Sequence, residues 1–303
     1  MSLRALLQRL NPLGGVRIVP VREFLSARAL GQVDVERAFF SGLLLRNGVY
    51  KTTEPNRMDS ILPGLVEQAS RLPSEPLRVL DVACSSGVTT VELHRALSAA
   101  GLAAETLGTD LALDADYVER EGESAMLFDS ADRLLQVEIG NWASPWRWRP
   151  RDRAVRPVLL ARARRLVARE QDLFLRARHE ATPGLRSTRL ALLASSAMQA
   201  TNVRFEEEDI LAPRNMGPFH VIRAANILNR AHFSEGTLVR MLDALRARLA
   251  EGGLLLVLRT HGSPPVHHGT LVRRNGTRFE VVSRMGEGSE IEALLDSSAA
   301  GAT

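Results

Sequence analysis

The chain has 303 residues, of which 45% are hydrophobic and 24% charged, and 39 Lys and Arg against 35 Asp and Glu leave a net charge of +4. That size buries a substantial core, and the composition excludes collagen-like, low-complexity and disordered classes. The single cysteine, Cys84, excludes an internal disulfide framework, and no Cys/His spacing matches a metal motif, so no metal is expected. No apolar run approaches the ~20 residues that span a bilayer. Arg4 and Arg9 are not followed by a continuous apolar stretch, so a signal peptide is not indicated and a cytoplasmic location is expected.

Residues 1–70 read as a helical cap. Leu3, Leu6, Leu7 and Leu10 form a short apolar face that ends before Pro12, while Phe39, Phe40, Leu43 and Leu44 mark a second helix or turn. Asn47-Gly48 is a turn signal followed by Tyr50, Lys51 and Thr52, and Met58–Leu72 reads as a helix leading into the first strand.

That strand is Leu77–Val82, apolar except for Arg78 and Asp81. A turn of small residues follows, Ala83-Cys84-Ser85-Ser86-Gly87, and then a helix reaching Leu97. Strand, small-residue turn and helix open a doubly wound α/β sheet, which binds ligands beyond the carboxyl ends of its strands. A dinucleotide fingerprint requires glycines where this chain has Ala83, Ser85 and Val88. There is no Walker-type Gly-Lys-Ser/Thr, and Lys51 is the only lysine. A phosphate cradle is therefore not indicated; an acid at the strand end before a turn of small residues suits a cationic, phosphate-free ligand.

The next strand, Glu105–Thr109, ends at Asp110, about twenty residues beyond the turn, where an acidic side chain can accept hydrogen bonds from both hydroxyls of a ribose. The stretch from Asp110 to Val203 is too long for one helix and one strand and reads as an insertion over about 115–200. Within it, Ala125–Phe128 and Leu134–Ile139 form a hairpin, Trp142, Trp146 and Trp148 follow, and Pro157–His179 is helical and arginine-rich. From Arg147 to Glu180 there are eleven arginines against four acids, so most of the basic character lies here. Residues 142–180 fit three roles: a solvated lid or dimer surface, a contact for an anionic membrane or anionic substrate, or, more weakly, a nucleic-acid contact, since no nucleic-acid motif accompanies the charge.

Val203–Leu211 carries Glu206 and Glu207, read as solvated charges, and then Asp209 and Ile210. His220–Ala225 is an apolar strand running into Asn226. Leu238, Met241, Leu242, Leu245 and Leu249 recur at helical spacing, and Gly252-Gly253 is expected to stop that helix before a buried strand over Gly253–Leu258. His267-His268 falls in a Pro-rich loop. Asn275-Gly276 joins two strands within 269–283 as a hairpin.

The segment Asp81-Val-Ala-Cys-Ser-Ser-Gly87 resembles motif I of class I S-adenosylmethionine (SAM)-dependent methyltransferases, with Ala83 and Ser85 in place of two glycines and Gly87 retained. The block from Phe219 to Thr260 resembles the chemoreceptor (CheR-type) methyltransferases. Asn226, Ile227 and Leu228 match their Asn-Val-Leu turn, and Ala225 stands where they carry arginine, which puts a glutamyl-receptor substrate in doubt. The resemblance implies a Rossmann-like methyltransferase domain over 71–288, followed by a flexible tail at 289–303. It implies SAM as cofactor, held by Asp81, Ala83, Ser85, Gly87, Asp110, Asp209, Ile210 and Asn226, with Asp110 on the ribose and Asp209 and Ile210 at the adenine. It also makes Tyr50, Lys51 and Thr52 candidates to close over the pocket. The acceptor is left open among a small molecule, a lipid-like molecule and a protein side chain. Asn229, Arg230 and His232 are the nearest polar candidates for catalysis, none of them assigned as a base. The replaced glycines keep a second reading open, an inactive methyltransferase-like module that docks through its basic insertion.

Overall fold

The computed structural model describes residues 18–44, 51, 54–73, 76–146, 157–212, 215–261 and 266–297; the expectations for Leu3–Leu10, Tyr50, Thr52 and Trp148 lie outside these. In chain order the elements are α1 (Val21–Ala29), α2 (Val33–Gly42), α3 (Leu62–Ala69), β1 (Leu77–Val82), α4 (Val88–Ala99), β2 (Ala104–Asp110), β3 (Asp114–Arg120), β4 (Ser124–Asp129), β5 (Leu134–Ile139) and β6 (Trp142–Pro145). There follow α5 (Pro157–Arg176), β7 (Arg186–Ala191), α6 (Ser195–Met198), β8 (Val203–Glu207), β9 (Phe219–Ala225), α7 (Glu235–Arg248), β10 (Leu249–His261), β11 (Val266–Asn275), β12 (Arg278–Met285) and α8 (Glu292–Ser297). The chain divides into two compact units. The larger comprises the described residues of 53–113 and 192–303; the smaller comprises those of 1–46 and 114–191 together with Lys51.

The larger unit is an α/β fold around a seven-stranded sheet in the order β12-β11-β10-β9-β1-β2-β8. β1 runs parallel to β2 and β9, and β8 and β10 extend the parallel core. The expected C-terminal hairpin is present as β11 and β12, antiparallel to each other, with β11 antiparallel to β10. Alternate residues of the buried strands feed two cores. Val79, Val221 and Leu256 join Leu65 of α3 and Leu93 of α4 on one face. Leu80, Ile222 and Leu255 join Leu242 of α7 and Leu295 of α8 on the other. Helices on both faces make the sheet doubly wound, and its order reverses at β1, whose neighbours β2 and β9 lead outward in opposite directions.

Several element limits differ from those expected. Pro63, with its preset φ, starts α3 four residues later than Met58. Ser234 caps α7 by accepting the Thr237 N–H, but the helix ends at Arg248 rather than at the glycine pair. β10 begins at Leu249 and accommodates Gly252-Gly253 in a register irregularity between Leu249 and Leu254. His267 and His268 are not in a loop: they lie on β11, opposite Thr260 and Arg259. The stretch expected as a tail from residue 289 instead holds α8, because Ile291, Leu294 and Leu295 are buried in the core beside α7.

The smaller unit replaces the expected hairpin plus helix with a five-stranded antiparallel sheet, β6-β5-β4-β3-β7. The hairpin is β4 and β5; β3 and β7, whose charged faces hid their periodicity, extend it. α5 covers one face, with Ala163, Val167 and Phe174 set against Val118, Phe128 and Val137. The segment leading into α1 belongs to this unit. The Gln136 amide donates to the Val19 carbonyl (3.0 Å), and the Val21 N–H donates to the Glu138 carboxylate (2.6 Å). Glu138 also accepts from the Tyr117 hydroxyl (3.0 Å), and Arg22 donates to that hydroxyl oxygen and to Glu119 (both 3.1 Å).

Burial pushes the Glu138 carboxyl above its ordinary range, against the lowering effect of its hydrogen bonds to Val21 and Tyr117. The native state therefore holds that proton more tightly than the unfolded chain does. The resulting stabilisation is complete below the ordinary carboxylate pKa and is lost as pH rises through the raised value. All three tryptophans of the chain lie in the 114–191 segment, so tryptophan fluorescence reports on this unit. In urea melts followed by fluorescence from about pH 4 to about pH 8, the wild type is expected to lose stability with rising pH; Glu138→Gln, which keeps an acceptor for Val21, is expected to flatten that dependence.

Candidate functional site

The carboxyl ends of β1 and β9 flank the point where strand order reverses, the place where open α/β sheets take their ligands. The turn after β1 and the segment Asn226–Asn229 after β9 occupy these two ends.

The turn has the backbone of a glycine loop. Ala83 (φ 56°), Ser85 (φ 59°) and Gly87 (φ 80°) all adopt left-handed conformations. For Ala and Ser this costs about 1–2 kcal/mol each, because Cβ crowds the following carbonyl. The surroundings hold them there. The Cys84 N–H donates to the Thr109 carbonyl of β2 (2.9 Å), the Ser85 N–H to an Asp110 carboxylate oxygen (2.7 Å), and the Ala194 N–H to the Ser86 carbonyl (2.8 Å). Gly87 has a second requirement: a Cβ there would stand 2.8 Å from the Phe205 ring and 2.9 Å from the Ala197 Cβ.

Asp110 is 5% exposed at the end of β2, so an internal carboxylate already takes the Ser85 amide, which would otherwise be open to a phosphate. A negative charge there repels a second anion. This geometry favours a neutral or cationic ligand, in line with the absence of a lysine from the turn.

Asp81 does not reach beyond its strand. It lies in register with Arg223 on β9, and the two form a bidentate ion pair: Nε and Nη2 of Arg223 donate to the two carboxylate oxygens at 2.7 and 2.5 Å. Both side chains are about 1% exposed. The Thr90 hydroxyl also donates to Asp81, and Arg223 reaches the Thr89 carbonyl (3.1 Å) and hydroxyl (2.9 Å), so the pair also fixes the first turn of α4. β9 is therefore not simply apolar, as its sequence suggests: it carries the buried Arg223. The available signal was a lone arginine in a buried strand of the same sheet as a lone aspartate.

The remaining candidates divide. Asp209 closes a turn, accepting the Leu211 N–H (3.1 Å). Ile210 is 7% exposed, and its carbonyl accepts from Arg248 (3.0 Å). Arg248 forms a second buried ion pair, 2.8 Å from Glu208, that was not anticipated. Glu207 is not a merely solvated charge: it accepts the Leu113 N–H (2.7 Å). Asn226, also left-handed (φ 61°), donates its N–H to the Leu258 carbonyl and accepts the Thr260 N–H through Oδ1, both at 2.7 Å, which locks β9 to β10 just beyond the sheet. Asn229 is 3% exposed. Its amide nitrogen donates to the Asn226 and Ile227 carbonyls, and its buried Oδ1 has no hydrogen-bond partner among the described residues. Arg230 is exposed and paired with Glu235 (2.7 Å); His232 is also exposed. Neither is held as a general base must be, and Asn229 cannot accept a proton.

Two further side chains stand out. Arg57 and Glu92 influence each other, and each has a buried atom without a hydrogen-bond partner among the described residues, Arg57 Nε and Glu92 Oε2. Burial lowers the Arg57 pKa, with Arg223 adding to the effect, and burial raises Glu92, opposed by the Asn56 N–H that donates to it (2.7 Å). A separate cavity of about 250 Å³ is lined by Arg78, Glu105, Leu107, Arg204, Glu206 and Phe219. Arg78, Glu105, Arg204 and Phe219 lie at the amino ends of their strands, away from the turn.

Neither a family model nor a curated protein matches the chain. Among solved structures it is similar to PH0226 from Pyrococcus horikoshii OT3, at 14% identity over 79% of this chain and 78% of that one, with a TM-score of 0.33. It is similar at 12% identity to SAM-bound CalS10, an amino pentose methyltransferase from Micromonospora echinaspora, over 80% of this chain and 81% of that one, with a TM-score of 0.34. PKMT2 from Rickettsia typhi is 13% identical over 66% of this chain with a TM-score of 0.31, and the chain spans only 24% of its length. The functional reading rests on the residues of the site.

Removing one member of the buried pair strands the other charge, at a cost of about 3–5 kcal/mol. Arg223→Met is therefore expected to lower the unfolding free energy by about that amount, measured in urea by circular dichroism. Adding Asp81→Leu should recover much of the loss, so that the double variant falls well short of the sum of the single effects.

Proposed function

We propose that the larger unit binds S-adenosylmethionine at the carboxyl ends of β1, β2 and β9 and transfers its methyl group to an acceptor that is a small molecule, a lipid-like molecule or a protein side chain. The observation that carries this reading is the backbone of the turn. Three alternate positions of the turn are left-handed even where Ala83 and Ser85 replace glycine, and the Asp110 carboxylate accepts the Ser85 N–H.

In this reading Asp110 takes the ribose, Asp209 and Ile210 border the adenine, and the turn 83–87 with Asn226 borders the methionyl part. Asp81 acts one step back, holding the turn through Arg223 and α4. When bound, the sulfonium supplies an already activated methyl group. The chain's own contribution is alignment and exclusion of water. Oδ1 of Asn229, buried without a partner, is suited to orient an N–H or O–H group of a ligand. Arg230 and His232 are not needed in the site.

A second reading, an inactive methyltransferase-like module, is favoured by the Cβ atoms at positions 83 and 85, which narrow the approach to the turn, and by the absence of a positioned base among Asn229, Arg230 and His232.

Calorimetry with SAM and with S-adenosylhomocysteine tests the pocket. The wild type is expected to bind both, Asp110→Ala to lose at least tenfold in affinity, and Asp110→Asn, which keeps an acceptor for Ser85, to lose less. No binding by the wild type, or unchanged binding by Asp110→Ala, would sink the assignment. Binding without methyl transfer to any acceptor class would favour the inactive module. The doubly substituted Ala83→Gly/Ser85→Gly protein, with its backbone strain relieved, is expected to bind the cofactor at least as tightly as the wild type.

A further inference from the structure

α5 spans twenty residues, and its inward positions are accounted for by the core of the smaller unit. Its outward side carries a stripe: Val158, Arg162, Arg165, Arg169, Asp172 and Arg176 recur at spacings of three and four, and all are exposed. Positions three and four apart share one face of a helix. From Arg162 to Arg176 the stripe is about 21 Å long at 1.5 Å per residue.

None of its four arginines forms an ion pair among the described residues. Several other arginines of the unit do pair. Arg120 holds Glu170 at 2.5 Å, Arg178 holds Asp116 at 2.6 Å, and Arg189 holds Asp114 at 2.9 Å. The unit has acids and uses them on other arginines. Asp172 is the one acid on the stripe, so its charge is close to +3.

An exposed indole stands on the same side of the sheet. Trp142 is 61% exposed on the edge strand β6. Trp146, four residues on, packs into the core beneath α5, and Ile139, in register with Trp142, packs against that core too. Trp142 therefore projects on the side of the sheet that α5 covers. The register also fixes its distance from the helix. Trp142, Ile139, Ser124 and Arg120 form one row across four strands, and Arg120 holds Glu170 in the middle of α5. Three strand spacings place Trp142 about 14 Å from Arg120.

We propose that this face is a docking surface for an anionic lipid bilayer, with the arginine stripe on the headgroups and Trp142 and Val158 in the interfacial layer. Unpaired guanidiniums along one face of a helix suit an extended plane of negative charge, and an indole is an interfacial anchor. A nucleic-acid strand would call for a groove that follows its backbone and for successive aromatic platforms; Trp142 is the one exposed large aromatic among the described residues. The helix does not insert, because its apolar face is already buried. Attachment is peripheral, and no helix among the described residues is long and apolar enough to cross a membrane.

The test is co-sedimentation of the full chain with vesicles of phosphatidylcholine alone or mixed with phosphatidylglycerol. Binding is expected only to the anionic vesicles and should fade as salt shortens the Debye length. Each basic residue at such a surface contributes about fivefold in affinity, so Arg162→Gln/Arg165→Gln/Arg169→Gln is expected to lose roughly a hundredfold. Trp142→Ala is expected to weaken binding and to reduce the blue shift of tryptophan fluorescence on vesicles. These positions are exposed, so circular dichroism should be unchanged, and SAM calorimetry on the triple variant keeps this result separate from the cofactor reading. Absence of binding to anionic vesicles, or undiminished binding by the triple variant, would overturn the proposal. So would tighter binding to duplex DNA than to vesicles that is lost in the triple variant, which would identify nucleic acid as the partner.

Discussion

The buried ion pair between Asp81 and Arg223 constrains the larger unit more than any other contact. Two charges taken fully out of water are tolerated only when each meets the other in good geometry and their remaining polar atoms are also satisfied. Here that requirement fixes three things. It joins β1 to β9 in one register, since a slip would carry one charge to the opposite face. Through Thr89 and Thr90 it sets the first turn of α4. The turn 83–87 lies between these two anchored elements, so its ends are held before any ligand arrives.

Anchoring explains how a turn without two of its glycines keeps a glycine conformation. Strained residues persist where the surroundings over-determine them. Ser85 is held by Asp110, Cys84 by Thr109, and Ser86 by Ala194. The same contacts choose the ligand. With a carboxylate against the turn, the amides that cradle phosphate in a dinucleotide site are answered from within. A second buried ion pair, Glu208–Arg248, ties the segment after β8 to the end of α7, where Arg248 also holds the Ile210 carbonyl.

The smaller unit follows a different logic. Its sheet is stitched from segments far apart in sequence, and polar groups do much of the stitching. Glu138 takes the backbone of Val21 and the hydroxyl of Tyr117, and Gln136 takes the carbonyl of Val19. Several of its arginines meet acids within the unit, whereas those along the outward stripe of α5 form no ion pair among the described residues. The stripe gives this unit a surface chemistry of its own.

Much of the larger unit was legible in the sequence because its signals are local. A short apolar strand, a turn of small residues, an amphipathic helix and an Asn-Gly hairpin each declare themselves within a dozen residues, and their order implies a doubly wound sheet. The turn residues Ala83, Ser85 and Gly87, and Asp110 beside them, could be singled out for the same reason. Other features could not be read that way. Arg223 lies in a segment that reads as an apolar strand, and only strand pairing places it opposite Asp81. Tail residues beyond 289 gained a helix because a core had room for Ile291 and Leu295. Neither Val19 nor Val21 carries any sign that its backbone is taken by side chains more than a hundred residues away. Sequence by itself determined the elements and the candidate turn, because hydrophobic period and turn chemistry are properties of neighbouring residues. Only the tertiary structure decided which charges are buried as pairs and which face water, because that depends on contacts between residues distant along the chain.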